Sequence, residues 1–369
     1  MRATNSLSLR FPKRLLRTFC IGFQVIYRNG FYDGTTRSDA SLSWCDPASR
    51  GIYRLLYNIR QSSGHEALLA VDSRRSTGGK MVSVVYEAPD SIEGAISLLA
   101  NADIPAKILA GGTDLIIQTN GSTDESRLFV DVKRIDGMLD AKLSADGLDL
   151  GPSMSCAEFT ARDDIRKVFP GLVEAAYLIG STQVQGRASL GGNLCNSSPA
   201  ADTIPALVVN GAQCVIAGPG GERTVAAEEF MTGVSRNCME KGELLKLIHL
   251  PAPAAKTSDA YLRFIPRTEM DIAVAGAGVS VTLDDAGTCT AARVAIGAVA
   301  PTVLLVSTAA DALIGTKLDD DALQAAAAAA SAASSPITDR RGTAEYRRQI
   351  VGVLVKRAAR IAATRAKGN

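Results

Sequence analysis

Histidine is almost missing from this chain of 369 residues, which has only His65 and His249. A zinc centre or a Ser-His-Asp mechanism needs histidine among particular partners, so neither chemistry is supported. Cysteine is sparse and dispersed. Cys20, Cys45, Cys156, Cys195, Cys214, Cys238 and Cys289 include no Cys-x-x-Cys pair. That argues against iron-sulfur or zinc ligation within the chain and fits a reducing compartment, the cytoplasm. Long apolar runs are lacking as well. The most apolar stretch near the N-terminus, Phe19 to Tyr27, is broken by Gln24 and flanked by Arg17 and Arg28, far short of the roughly 20 apolar residues of a membrane span. The net charge is only +2, and residues 1 to 80 hold an excess of Lys and Arg, so the remainder is mildly acidic. A nucleic-acid-binding body would need a clustered basic face, and none follows.

What remains is an ordinary globular composition, 46% apolar and 21% charged, long enough for two or three domains with cores of their own. The first 80 residues stand apart. They are rich in Arg and Ser, show no sustained helical or strand periodicity, and are punctuated by Gly30, Gly34, Gly51, Gly64, Gly78 and Gly79. Three accounts compete for residues 1–80: an organellar transit peptide, a real extra domain, and sequence upstream of a misassigned start, which is the favoured one. Two domains are expected beyond, over 81–255 and 256–369.

From Pro89 the pattern predicts a helix capped by Asp90 or Ser91, with apolar Ile92, Ala95, Ile96, Leu98 and Leu99. A strand, Ala106 to Ala110, then runs into Gly111-Gly112-Thr113-Asp114-Leu115. Two adjacent glycines remove every Cβ from the turn, permit positive φ and let successive amides approach a diphosphate. Alone, such a turn is ordinary. A second loop, Ser189-Leu190-Gly191-Gly192-Asn193, follows a helix-like run from Leu172 to Ile179 and precedes a polar cluster, Asn196, Ser197, Ser198 and Asp202. Asp202 reads either as a helix cap or as an acceptor for a ribose or flavin-ring hydrogen. No Gly-x-Gly-x-x-Gly follows the first strand and no Gly-x-x-x-x-Gly-Lys-Ser/Thr occurs, so neither a Rossmann turn nor a P-loop is indicated.

ILAGGTDLI at 108–116 and QGRASLGGNLCNSSPAAD at 185–202 resemble the two cofactor loops of the FAD-binding medium subunits of the xanthine dehydrogenase and aerobic carbon monoxide dehydrogenase group. The resemblance extends through Ala260-Tyr261-Leu262-Arg263-Phe264, Arg267, Met270 to Ala273, VSVTLDDAGTCTAARVAIGAVAPT, and Asp339, Arg340, Arg341, Tyr346, Arg347 and Arg348. It implies FAD as cofactor. Ile108, Leu109, Ala110, Gly111, Gly112, Thr113, Asp114 and Leu115 would wrap the diphosphate with Ser189, Leu190, Gly191, Gly192 and Asn193. Asp202 would bind the ribityl or adenosine side, with Ile179 and Leu245 packed on the cofactor. Arg263 stands where the family usually has Lys near the flavin, which keeps the charge but changes its shape. Thr113-Asp114 replaces the His-Ser of carbon monoxide dehydrogenases proper, which favours a broader hydroxylase.

The implied fold is α+β: an α/β FAD-binding domain of two subdomains, PCMH/VAO-like, then a small α+β domain with an antiparallel sheet. Locally, Leu143 to Leu150 reads as a hairpin through Asp-Gly, Val215 to Gly221 as another, and Val279 to Ile296 as a third. Ala325 to Ala330 favours helix, and the Arg-rich ending reads as a solvated helix face or subunit contact. The implied partners are a molybdopterin-containing large subunit, a [2Fe-2S] small subunit and an electron acceptor. The chain would pass electrons, with no catalytic acid-base residue of its own.

Overall fold

The structure, a computed structural model, describes residues 41–45, 52–59, 67–72, 84–120 and 126–368. Phe19 to Tyr27, Cys20 and His65 lie outside the described residues, as does most of the N-terminal segment for which three accounts were weighed. Its described part contains β1 (Ser41–Cys45), β2 (Ile52–Ile59) and β3 (Ala67–Asp72), an antiparallel meander that pairs onto β4 (Val84–Glu87). The sequence shows no sustained strand periodicity there. Backbone pairing satisfies N–H and C=O groups without any side-chain periodicity, so a periodicity search has nothing to find.

From β4 the chain crosses through α1 (Ile92–Ala100) to β5 (Ala106–Leu109), then through α2 (Leu115–Asn120) to β6 (Arg127–Asp131). β4, β6 and β5 are mutually parallel, and the sheet order is β1-β2-β3-β4-β6-β5. Ser91 Oγ accepts from Gly94 N at 3.1 Å, so Ser91 rather than Asp90 is the cap. The helix lays Ala95 and Leu99 on Leu128 and Val130, the apolar stripe that its spacing predicts.

The second part begins with β7 (Ala141–Ser144) and β8 (Gly147–Leu150). Their register makes Ala145 and Asp146 the turn, one residue ahead of the expected Asp-Gly, with Gly147 at φ 133° opening the return strand. Six short helices follow: α3 (Cys156–Thr160), α4 (Asp163–Val168), α5 (Pro170–Tyr177), α6 (Thr182–Gln185), α7 (Leu190–Asn196) and α8 (Thr203–Val209). Then come β9 (Gln213–Gly218), β10 (Gly221–Ala226), α9 (Ala227–Phe230), the small pair β11 (Met231–Gly233) and β12 (Arg236–Asn237), and β13 (Leu244–Pro251). The antiparallel sheet β10-β9-β13-β8-β7 closes over a core that includes Phe159, Phe169, Leu172, Ile204, Leu207, Ile216 and Ile248.

The third part is an antiparallel sheet in the order β14 (Thr257–Phe264), β15 (Ala275–Leu283), β16 (Cys289–Gly297) and β17 (Leu304–Leu305). It is followed by α10 (Ser307–Asp311), α11 (Asp320–Ala333) and α12 (Ala344–Gly368). The Ala run lies within α11, and its small side chains let α12 approach. A Cβ at Gly352 would sit 2.9 Å from Ala327 O. The Arg-rich ending is not simply solvated, because Arg347 is buried and donates to Val274 O at 2.8 Å and Asp339 Oδ1 at 2.7 Å. Carbonyls and a carboxylate replace water at the two terminal guanidinium nitrogens, while Nε is buried without a partner.

Two groups fasten this part to the second. Buried Asp259 of β14 accepts from Gly171 N at 2.9 Å, Leu172 N at 3.1 Å and Asn210 Nδ2 at 2.7 Å, capping α5 from another element. Arg365 of α12 donates to Asp259 O at 2.9 Å and pairs with Glu174.

Candidate functional site

At the end of β5 the chain turns through Gly111, Gly112, Thr113 and Asp114 into α2, with Gly112 at φ 78°. The carbonyls of Gly112 and Asp114 accept from Ile116 N at 3.0 Å and Gln118 N at 2.9 Å. The amides of Gly111, Gly112, Thr113 and Asp114 donate to no acceptor among the described residues. Four successive unspent N–H groups are donors of the kind that can hold phosphate oxygens. Ile108, Leu109 and Ala110 lead into it half-buried.

Three residues that the sequence did not single out brace this loop. Lys133 Nζ donates to Ala110 O and to Asp131 Oδ1, each at 2.7 Å, and Tyr86 Oη donates to Asp131 Oδ2 at 2.7 Å. Burial pushes the Asp131 carboxyl up, but the bonds from Lys133 and Tyr86 outweigh it and hold the group below the usual carboxylate range. Burial, reinforced by the same bond to Asp131, pushes the Tyr86 phenol up to about 12. The only signal in the sequence was Asp131 ending an apolar run, where its Oδ1 also caps Lys133 N at 3.0 Å.

The second expected loop is instead the first turn of α7, with Ser189 as its N-cap. Gly191 N donates to Pro152 O at 3.1 Å, Gly192 N to Ser189 Oγ at 3.1 Å and Asn193 N to Ser189 O at 2.9 Å. The two glycine amides are therefore spent inside the protein. Gly191 answers a packing demand, since a Cβ there would lie 2.3 Å from Pro152 Cβ. What the loop offers instead is Asn193. Its Oδ1 accepts from Thr203 Oγ1 at 2.6 Å and Thr203 N at 3.4 Å, leaving Nδ2 as an uncommitted donor among the described residues.

The two loops meet through main chain. A Cβ on Gly111 would fall 1.8 Å from Arg187 O, two residues before Ser189, so only glycine permits the contact. Gln118 Nε2 adds a second tie to Asn196 Oδ1 at 3.0 Å.

Asp202 precedes α8 but makes no side-chain cap bond. Its buried carboxylate accepts from Tyr261 Oη at 2.9 Å and from Arg263 at 2.6 Å. Burial pushes its carboxyl up to about 6, against the opposing pull of Arg263. Asp202 and Arg263, implied separately by resemblance, are thus one ion pair, and Arg263 Nε is buried without a partner. Tyr261 was missed, although strand alternation places it on the same face as Arg263. Ile179 is half-buried at the edge of the second core, its carbonyl accepting from Gln185 Nε2 at 3.0 Å. Leu245 lies inside that core opposite Ile216 on β9.

His249 pairs with Asp149 on the neighbouring strand at 2.7 Å, away from both loops in sequence. Among the described residues no cluster of His, Cys, Asp or Glu is suited to a metal ion, and no helix is long and apolar enough to cross a membrane.

A parallel α/β part bearing an open amide loop is joined to a second part in which a glycine pair opens α7, and the chain matches FAD-binding oxidoreductase subunits. Residues 80–253 match the family described as the FAD binding domain in molybdopterin dehydrogenase, and residues 260–362 match the CO dehydrogenase flavoprotein C-terminal domain. The chain is 34% identical to the carbon monoxide dehydrogenase medium chain of Afipia carboxidovorans, over 76% of this chain and 97% of that one. It is 28% identical to the xanthine dehydrogenase FAD-binding subunit of Escherichia coli O157:H7, over 74% and 93%. The solved structure of reconstituted CO dehydrogenase from Oligotropha carboxidovorans superimposes with a TM-score of 0.73 at 32% identity, covering 76% of this chain and 97% of that one. The chain belongs to the family of FAD-binding medium subunits of molybdenum hydroxylases. Its fold is the expected one, a two-part FAD-binding domain followed by a domain with an antiparallel sheet. The residues present suit the cofactor: the four free amides at Gly111 to Asp114 match an anionic diphosphate.

Proposed function

We propose that this chain receives electrons from [2Fe-2S] clusters of a small partner subunit and passes them to NAD, a quinone or another acceptor. Substrate hydroxylation would occur on a molybdopterin-containing large subunit. The observation that carries the reading is the row of unspent amides at Gly111 to Asp114, set against the Ser189 to Asn193 loop by the Gly111–Arg187 contact. Bound FAD supplies the redox chemistry, changing between two-electron and one-electron partners. The chain's residues bind and orient it: the first loop at the diphosphate, Asn193 Nδ2 as a further donor, and the Asp202–Arg263 pair as a buried polar group on the ribityl or flavin side. The lack of any Cys-x-x-Cys in the sequence supports clusters carried by another chain. Thr113-Asp114 supports a hydroxylase substrate other than carbon monoxide.

The test is the visible spectrum of the full chain after reconstitution with FAD, alone and in the complex purified with both partner subunits. Stoichiometric flavin that bleaches anaerobically on substrate addition, and only when the iron-sulfur subunit is present, is the expected result. A folded chain that retains no flavin in either state would leave a flavin-free scaffold of the same fold. Unchanged flavin retention in Gly111→Val with Gly192→Val would remove the two-loop site.

A further inference from the structure

We propose that Lys133 is the positioning residue of the diphosphate loop, acting through the Ala110–Gly111 peptide. This rests on the FAD reading above. A trans peptide is planar, with its C=O and N–H pointing in opposite directions. Lys133 Nζ donates to Ala110 O at 2.7 Å, so it fixes the carbonyl on one side and thereby aims the Gly111 N–H to the other. That N–H is the first of the four unspent donors. An ammonium on the carbonyl also polarises the peptide and strengthens its N–H as a donor, because hydrogen bonds in a chain reinforce one another.

The ammonium is itself held in place. Asp131 Oδ1 accepts a second hydrogen bond from it at 2.7 Å, and Tyr86 Oη donates to the other carboxylate oxygen at 2.7 Å. Asp131 ends β6, directly opposite Leu109 at the end of β5, so the brace spans the two strands from which the loop springs. The side chain of Lys133 is 23% accessible and that of Asp131 10%, so the pair is only partly screened by water. The main-chain contact of Gly111 with Arg187 O limits movement from the opposite side. Without Lys133, Ala110 O would lose its partner and the peptide its fixed orientation.

The test compares full-length wild type, Lys133→Met, Lys133→Arg and Tyr86→Phe for FAD affinity by fluorescence quenching, for thermal midpoint, and for the ³¹P resonances of bound FAD. Lys133→Met is expected to weaken FAD binding about tenfold and to shift the ³¹P resonances while leaving the flavin absorption band in place. Lys133→Arg should restore most of the affinity, and Tyr86→Phe should fall between. Affinity and ³¹P shifts equal to wild type in Lys133→Met would overturn the inference while leaving the FAD reading intact. Wild type that binds no FAD would instead remove the reading on which it rests. If Lys133→Met does not fold, Tyr86→Phe decides: wild-type ³¹P shifts and affinity in that variant would overturn it.

Discussion

Gly111 and Gly191 look alike in the sequence, and each is required by a neighbouring backbone rather than by a ligand alone. A methyl at Gly111 would meet Arg187 O, whereas Gly186 has no neighbour closer than 3.6 Å to a built Cβ. Gly111→Ala should therefore lower FAD affinity about tenfold or more, while Gly186→Ala binds as wild type, read by fluorescence titration. The first glycine pair was legible as a loop because it ends an apolar strand, whereas the second, also expected as a loop, opens helix α7 behind its cap Ser189. What their amides bond to was not legible, since Pro152 and Ser189 Oγ, which consume the second pair, come from packing that no local pattern encodes. Asp202 gives a residue-scale dependence on pH. Its carboxyl is raised from 3.8 to about 6 by burial, so between those values the folded chain holds a proton the unfolded chain has released. Stability from this group is fully present below about pH 4 and is lost as pH rises through about 6. Urea unfolding at pH 4.5 to 7.5 should show this downward slope in wild type and a flatter profile in Asp202→Asn; parallel profiles would refute it.

At the scale of elements, α5 shows how a helix can take its cap from far along the chain. Phe169 at its start offers no side-chain acceptor, and Asp259, 88 residues from Gly171, supplies one. Asp259→Ala leaves two helix amides and Asn210 without their acceptor and should cost about 2 to 4 kcal/mol in urea unfolding. A loss under about 0.5 kcal/mol would show that water replaces it. The hairpins were readable because Asp-Gly and Pro-Gly-Gly punctuate alternating strands, and the turn before Gly147 differed only in placing the glycine at the strand's first residue. The strands between residues 41 and 72 gave no such signal. Arg347 was read as surface because composition cannot reveal that its guanidinium is enclosed by the Val274 carbonyl and Asp339.

For the whole molecule, Asp259 and Arg365 join the FAD-binding part to the C-terminal sheet and helix. Arg365→Ala removes the bond to Asp259 O and the pair with Glu174. Faster amide hydrogen exchange is expected in α5 and the last turns of α12 together, with α1 unchanged; exchange rising in α12 alone would mean that the two parts are held by other contacts. The Gly111–Arg187 contact bears on a different quantity, the time for which the cofactor stays bound. Its two sides belong to different parts of the FAD-binding domain, and because both are main chain, no side chain can swing aside to let a dinucleotide out. On the proposed placement of FAD across this contact, escape would require the two parts to separate, and low urea should shorten the residence time even where equilibrium unfolding is undetectable.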